Sequence, residues 1–399
     1  MPRGLVNATG QNNCFLNVVV QSLWHLEAFR AQFGRSGDSN SGTTNAAAVS
    51  GAWGKKPQVW RGDGPVATVV APPAPPATAA AEKEPSHRVE ASLRALFREL
   101  SEVDGGGGGN GVGGGGSNSN GGGGGGGGTG TTSASVEALR TALAELSGAR
   151  FGAGKMDDAA EAMETILGCL VKGSSPAVIR QVFSMRIREA LVCPRCGTSS
   201  PEKPATYEAN VFYAHVSALR EAREKTPGCP FDVALREASH GDLVTCRNAG
   251  CSLSRRKERL PSQRFITGVP PSVFSLGLVW NNWGPGLVAD LLGLLSPVVD
   301  LDVVFSRGRE HGVAGAGEVS AGKAQLRGFF CFQVQKHHYV AFVYNRDRQE
   351  WLLLDDDQAV PIGPDFAGVL GRCEEDKLHP SLFFFERKQN QDHATAYGS

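Results

Sequence analysis

Cys14 stands directly after the turn-forming run Gly10-Gln11-Asn12-Asn13 and opens a stretch with helical apolar spacing. A thiol at a helix N-terminus faces the positive end of the dipole and unpaired backbone N–H groups, which favour the thiolate. The same amides, with an Asn or Gln side chain beside them, could stabilise an oxyanion forming on an attacked carbonyl. On position alone, a buried helix-start cysteine acting as a small hydrophobe is the commoner outcome. A nucleophile also needs a base and a group to orient that base. Of the nine histidines, His338 meets this need best. It begins the strand-like run His338-Tyr339-Val340-Ala341-Phe342-Val343-Tyr344, and Glu350-Trp351-Leu352-Leu353-Leu354 returns to Asp355-Asp356-Asp357. A hairpin turning at Arg346-Asp347 sets His338 opposite Asp355 or Asp356, where a carboxylate could fix the imidazole tautomer and raise its basicity. Taken without Cys14, the same pattern suits a strand-edge His beside a solvated acidic turn equally well. A one-residue slip would present His337 on the other face.

A second constellation has metal-ligand spacing. Cys193-Pro194-Arg195-Cys196 is a C-x2-C knuckle, and Cys246 and Cys251 form a C-x4-C pair about 50 residues on. Four thiolates in polar, turn-rich surroundings resemble a structural zinc ribbon, and two unrelated thiol pairs are the alternative. Cys169, Cys229, Cys331 and Cys373 are read as core or incidental thiols. Asp157-Asp158 is read as the acidic start of a helix, as the dipole prefers. The run Arg255-Arg256-Lys257-Glu258-Arg259 is read as a solvated ribbon face.

The elements that must position these groups occupy only part of the 399 residues. Between Gly105 and Gly128, 18 of 24 residues are Gly. The stretch from Gly37 to Ser86 is dominated by Ala, Pro, Gly, Thr and Ser. Neither can bury enough to offset its ordering entropy, which leaves roughly 320 residues for one large core or two packed lobes. Helical patterns run from Cys14 to about Phe33, from Val89 to Leu100, from a Ser135 cap through Leu146, and from Met156 onward. Strand patterns follow over 178–187, 272–280, 329–334, 339–344, 351–354 and 381–386. Helices first and an antiparallel sheet afterwards argue for an α+β fold. Lys plus Arg and Asp plus Glu both number 40, which argues against a nucleic-acid partner held by a broad positive field. No run is long and apolar enough for a membrane helix, so no membrane partner is expected. Without a signal-peptide pattern, the nine Cys point to a reducing compartment, cytoplasmic or nuclear.

Together the motifs resemble the ubiquitin-specific proteases. Gly4-Leu5-Val6-Asn7 through Gly10-Gln11-Asn12-Asn13-Cys14-Phe15-Leu16-Asn17 to Gln21-Ser22-Leu23-Trp24 is similar to their Cys box. His338-Tyr339-Val340-Ala341-Phe342, Trp351 and Leu354-Asp355-Asp356 are similar to their His box, and Asp157-Asp158-Ala159-Ala160-Glu161 to the helix-opening motif between the two. The nearest branch is the divergent one of plant ubiquitin-carboxyl-terminal-hydrolase-related proteins and animal ubiquitin-specific-protease-like proteins.

The resemblance implies a papain-like fold over 4–387, with a thumb at about 4–37 and 88–175, zinc-ribbon-like fingers at about 178–265 and a palm at about 266–387. The stretch 38–87 would be a linker insertion, 105–134 a Gly-rich disordered insertion and 388–399 a tail. It implies a deubiquitinase acting on ubiquitin and ubiquitinated proteins, with Cys14 as nucleophile, His338 as base, Asp355 as orienter and Asp356 beside it. Asn12 is the first choice of oxyanion donor and Asn7 the second, because the Cys box is two residues longer than usual. Zn2+ would sit on Cys193, Cys196, Cys246 and Cys251. Two further departures stand out: His337 replaces the usual small Gly, and the strand near Leu278-Val279-Trp280-Asn281-Asn282 is altered. Members of that branch have been regarded as weak or inactive, so a ubiquitin-binding scaffold is the alternative.

Overall fold

Helices form first along the chain because apolar residues recur at three- and four-residue spacing. They are α1 (Cys14–His25), α2 (Glu27–Arg35), α3 (Ala79–Gly105), α4 (Glu137–Ser147), α5 (Ala159–Lys172) and α6 (Pro176–Val182). The computed structural model describes residues 4–35, 79–105, 134–148, 150–193, 195–238, 243–244, 246–254, 258–259, 262–281, 285–305 and 320–387. Most of the linker expected at 38–87, nearly all of the Gly-rich insertion, the tail at 388–399 and the basic residues 255–257 lie outside them. Where 38–87 is described, it is helical from Ala79, so α3 starts ten residues before the expected Val89.

Helix α1 is buried from Cys14 to Trp24. A helix enclosed on all sides needs apolar residues all round, and its runs Phe15-Leu16 and Val18-Val19-Val20 supply them. It packs between α5 and the strands that carry the candidate base. Helix α4 starts one residue later than a Ser135 cap would place it. Val136 is the N-cap, and the Ser135 hydroxyl accepts only a long bond of 3.4 Å from the Glu137 N–H.

The second half is strand-rich: β1 (Met185–Val192), β2 (Ser199–Ala209), β3 (Phe212–His215), then α7 (Val216–Lys225) and α8 (Phe231–Glu237). Short strands β4 (Leu243–Val244) and β5 (Glu258–Arg259) form a ribbon, and β6 (Ser262–Ile266) returns to β1. There follow β7 (Val273–Val279), α9 (Pro285–Leu292), β8 (Val298–Asp300), α10 (Leu301–Val304), β9 (Lys323–Gln333), β10 (His338–Asn345), β11 (Glu350–Asp355), β12 (Gln358–Gly363), α11 (Phe366–Glu375) and β13 (His379–Arg387).

The main sheet runs β12-β11-β10-β9-β13-β7-β3, with β8 also on β9. Side-chain alternation divides its two faces. Tyr339, Ala341, Val343, Leu352 and Leu354 join the core under α1, whereas Val340, Phe342, Leu353, Phe383 and Phe385 join a second core on the far side with α7, α8 and α9. The sheet is therefore covered on both faces.

Three expectations need correction. Residues 178–182 are helical, not extended: Pro176 starts α6 at a position where its missing N–H costs nothing, and Val178, Ile179 and Val182 bury one helical face. The sheet is not wholly antiparallel, since β3 pairs parallel with β7. These two strands are joined by a long crossover through α7, α8 and the ribbon, as parallel neighbours require. The β10–β11 hairpin turns through four residues, 346–349. The Asn345 Oδ1 accepts from the Asp347 and Arg348 N–H groups, and Gln349 takes a left-handed φ of 55°. Ala341 therefore pairs with Leu354, and continuing that register puts His338 across from Asp357, with Asp355 its diagonal neighbour on the same face.

The chain start is locked to the end of β11. Leu5 N–H donates to the Asp356 carbonyl at 2.9 Å, and a Cβ on Gly4 would lie 1.9 Å from that same oxygen. Gly4→Ala should lower stability by about 1–3 kcal/mol, as overpacking does, because the obstacle is backbone. Urea unfolding measures this, and an unchanged midpoint would contradict the packing argument.

Candidate active site

Cys14 is the first residue of α1 and is 1% exposed. Its Sγ lies 3.7 Å from the Met156 Sδ, and the thiol is near enough to His338 to raise the imidazole's pKa. The His338 Nε2–H donates to Asp355 Oδ1 at 2.6 Å. Thiol, imidazole and carboxylate thus meet from opposite ends of the chain. The Asp355 bond, followed by the Cys14 contact, pushes the His338 pKa up to about 10. The same bond to His338 draws the Asp355 carboxyl below its ordinary range.

Asp356 is engaged differently. Its Oδ2 is 4.0 Å from the His338 Nε2, too far for a hydrogen bond. Asn7 Nδ2 donates to Oδ2 and Asn17 Nδ2 to Oδ1, both at 2.8 Å. Gln21 Nε2 adds a bond of 3.0 Å to the Asp356 carbonyl. Burial raises the Asp356 pKa, and the bonds from Asn7 and Asn17 oppose that rise.

Both oxyanion candidates sit beside the thiol's helix with bonds of their own. Asn12 has a left-handed φ of 53°, and its Nδ2 donates to the Gly154 carbonyl at 2.8 Å. Asn7 holds Asp356 through its nitrogen and accepts the Asn13 N–H through Oδ1 at 2.9 Å. Asn13, the N-cap, makes no side-chain bond to the first amides of α1. His337 is exposed at φ 48°, ending the short 3-10 turn 334–336, with its ring against Phe332. Asp158 caps α5 by accepting the Glu161 N–H at 2.8 Å, and burial pushes its pKa up to about 6. Trp280, in the altered strand, donates to the Pro380 carbonyl at 2.8 Å, and Asn282 lies outside the described residues.

Sequence reasoning gave no role to four contributors. Asn17 and Gln21 are a polar i, i+4 pair on a mostly apolar helix, a readable sign of a buried polar seam. Met156 gave no signal. Arg140 sits between Leu139 and Leu143 on α4 and reads as a surface residue, yet it is 2% exposed.

At the far end of the ribbon, Cys193, Cys196, Cys246 and Cys251 place all four sulfurs within 4.8 Å of one another. The Cys193–Cys251 and Cys196–Cys246 separations are 3.8 and 3.5 Å. The four cysteines are free thiols and could bind a metal.

The sequence profile of ubiquitin carboxyl-terminal hydrolase matches residues 3–294. The chain belongs to this family. Ubiquitin carboxyl-terminal hydrolase 54 of Mus musculus is 24% identical over 412 residues, which cover 97% of this chain and 20% of that protein. Ubiquitin carboxyl-terminal hydrolase 53 of Homo sapiens is 22% identical, over 96% of this chain and 30% of its own length. The chain therefore spans less than a third of the curated relatives it matches. Two solved structures of the SAGA Ubp8/Sgf11/Sus1/Sgf73 DUB module, one bound to ubiquitin aldehyde and one to monoubiquitin, are similar with TM-scores of 0.53 and 0.54. Each is 14% identical and covers 97% of this chain and 70% of the matched one. The architecture is the α+β, papain-like fold of the ubiquitin-specific proteases. The profile match stops before β9 and so does not cover His338 or Asp355, which the structure brings to Cys14.

In this family member the His338–Asp355 pair makes a pH prediction. The folded pKa of about 10 lies above the ordinary 6.5, so the stabilisation is complete below pH 6.5 and is lost as pH rises through about 10. In NMR titration, Asp355→Asn should lower the His338 midpoint by at least about one unit. The stability gap between wild type and variant should be widest at the acid end of that window. A wild-type midpoint near 6.5 would contradict the geometry.

Proposed function

We propose that this chain is a cysteine-type deubiquitinase that hydrolyses the isopeptide or peptide bond after the C-terminal Gly of ubiquitin. One observation carries the reading: a helix-start thiol lies against an imidazole more than 300 positions later in sequence, and that imidazole is hydrogen-bonded to a carboxylate. Cys14 Sγ attacks the carbonyl carbon. His338, its Nε2 committed to Asp355, offers Nδ1 to the thiol as base and protonates the leaving amine. Water then attacks the thioester, His338 takes its proton, and the free thiol returns. The oxyanion would lie against the uncapped first amides of α1, with Asn12 as side-chain donor and Asn7 second; each amide nitrogen keeps a further N–H. In this reading ubiquitin is gripped by a thumb at about 4–37 and 88–175, fingers at about 178–265 and a palm at about 266–387. A reducing compartment, cytoplasmic or nuclear, suits a free nucleophilic thiol.

A ubiquitin-binding scaffold without turnover is favoured by a different observation. Cys14 is buried with the Met156 sulfur against it, and both candidate side-chain donors already hold partners. A ubiquitin probe with a C-terminal electrophile separates the two. Labelling of the wild type, abolished in Cys14→Ser and reduced at least about a hundredfold in His338→Ala, supports the hydrolase. Measurable ubiquitin affinity with no labelling supports the scaffold.

The four-cysteine cluster is proposed to hold one structural Zn2+. Tetrahedral zinc with Zn–S bonds of about 2.3 Å sets sulfurs about 3.8 Å apart, and the closest pairs here are 3.5 and 3.8 Å apart. Bound there, the ion would tie the β1–β2 turn to the β4–β5 ribbon. Purified protein should contain one equivalent of zinc, and Cys193→Ser should abolish it. A metal-free protein with unchanged melting after chelation would exclude the assignment.

A further inference from the structure

Arg140 carries the largest fully buried side chain described, and no carboxylate is among its hydrogen-bond acceptors. All its donor nitrogens are used. Nε donates to the Phe151 carbonyl at 3.0 Å, and Nη2 to the Gly152 and Lys155 carbonyls at 2.5 Å. Nη1 donates to the Gln11 carbonyl and, at 2.6 Å, to Asn13 Oδ1. The guanidinium carbon lies 5.4 Å from the Phe15 ring centre, and Phe15 stacks on Phe151. Burying a guanidinium is costly, and only a full set of bonds offsets it.

The bonded groups belong to two loops, one on each side of the thiol. Gln11 and Asn13 precede Cys14. Lys155 precedes Met156, whose sulfur touches Cys14. Each loop contains a non-glycine residue in left-handed conformation, Asn12 at φ 53° and Phe151 at φ 60°. Such backbone persists only where surrounding bonds enforce it, and a bulky Phe is a stronger outlier than an Asn. Arg140 supplies those bonds, aided by Asp157 Oδ2 on the Phe151 N–H and by Asn12 on Gly154.

Asn13 shows what the arrangement achieves. An N-cap Asn ordinarily turns its side-chain oxygen onto the second or third amide of its own helix. Here that oxygen is held by Arg140, and the cap bond is absent. At the helix start the Asn13 N–H is held by Asn7 Oδ1 and the Leu16 N–H by the Asn13 carbonyl, and the amides left open are those of Cys14 and Phe15.

We propose that Arg140 is a positioning residue: it clamps the two loops flanking Cys14 and draws the Asn13 side chain away from the helix start, keeping the Cys14 and Phe15 amides free for the reacting carbonyl. This rests on the hydrolase reading above. Its substrate is the same ubiquitin C-terminus, which Arg140 does not touch.

The test compares full-length wild type, Arg140→Lys, Asn13→Ala and the double variant. The readouts are turnover of a fluorogenic ubiquitin C-terminal amide, urea stability, and the pH profile of Cys14 alkylation by iodoacetamide, with Cys14→Ser as background. Arg140→Lys keeps the charge but loses the fork, so kcat should fall about tenfold or more with KM within about twofold. Its alkylation profile should move to higher pH. Adding Asn13→Ala should restore part of the lost kcat, because the residue freed to cap the helix is gone. Asn13→Ala alone removes the Arg140 bond and two longer bonds, from Nδ2 to Gln11 Oε1 at 3.2 Å and to Glu137 Oε2 at 3.4 Å, and should lower kcat by about two- to fivefold while the protein stays folded, which keeps the proposal testable if Arg140→Lys does not fold. A folded Arg140→Lys with wild-type kcat and alkylation, or Asn13→Ala with unchanged kcat, overturns the proposal. If the wild type itself does not turn over, the hydrolase reading fails, and the alkylation profiles still decide the role of Arg140.

Discussion

Asp356 is the residue on which the site's assembly depends. Its carboxylate takes one bond from Asn7 and one from Asn17, and its carbonyl takes one from Leu5 N–H and one from Gln21. These four bonds join the first residues of the chain and the polar seam of α1 to the end of β11. Every donor lies more than 330 positions away in sequence, so their closure entropy must be met by burial elsewhere. The apolar faces of α1 and β10 provide that burial. The Asp356 bonds then fix the register in which helix and hairpin meet, because a buried amide left unpaired would cost about 1–3 kcal/mol.

Other buried charges serve as staples at the edges of the same core. Glu386, 3% exposed, accepts the Ala28 N–H at 2.7 Å and pairs with Arg346 and Arg327, joining β13, the β10–β11 turn, β9 and the start of α2. Glu90 on α3 accepts from Arg94, Ser174 and Ser175, which ties α3 to the segment between α5 and α6. Helices α3 and α4 also pack directly on each other. The entropic cost of joining two such helices rises only with the logarithm of the connecting length, so the packing does not depend on a short connection.

What could be read from the sequence follows physical range. Helix α1 and strands β7, β9, β10, β11 and β13 are written in local periodicity, and the tertiary contacts agree with it. The hairpin's existence is legible, but its register depends on a four-residue turn that Asn345 stabilises from outside, so the sequence sets His338 opposite Asp355 or Asp356, whereas Asp355 lies diagonal to it. The stretch 178–182 has a pattern compatible with strand or helix, and Pro176 together with packing beneath α2 decides it. Parallel pairing of β3 with β7 has no local signature. Arg140 was missed because its acceptors are nearly all backbone carbonyls, which no side-chain pattern reports.

The two neighbouring carboxylates show how the fold separates tasks that sequence alone cannot assign. Asp355 and Asp356 have the same chemistry and adjacent positions, yet their proton affinities are driven apart. Asp355 is half-exposed, and the imidazole it holds stabilises its charge. Asp356 is turned by a φ of 49° towards α1, where desolvation works against its charge and two amides compensate. Environment, not residue type, sets such differences. The consequence is mechanical as well as electrostatic. A carboxylate fully engaged by amides is a fixed point, and its neighbour can then orient His338 from a backbone that does not move. Exchange of the two roles is blocked by geometry, since Asp356 would have to release Asn7 and Asn17 to reach the imidazole.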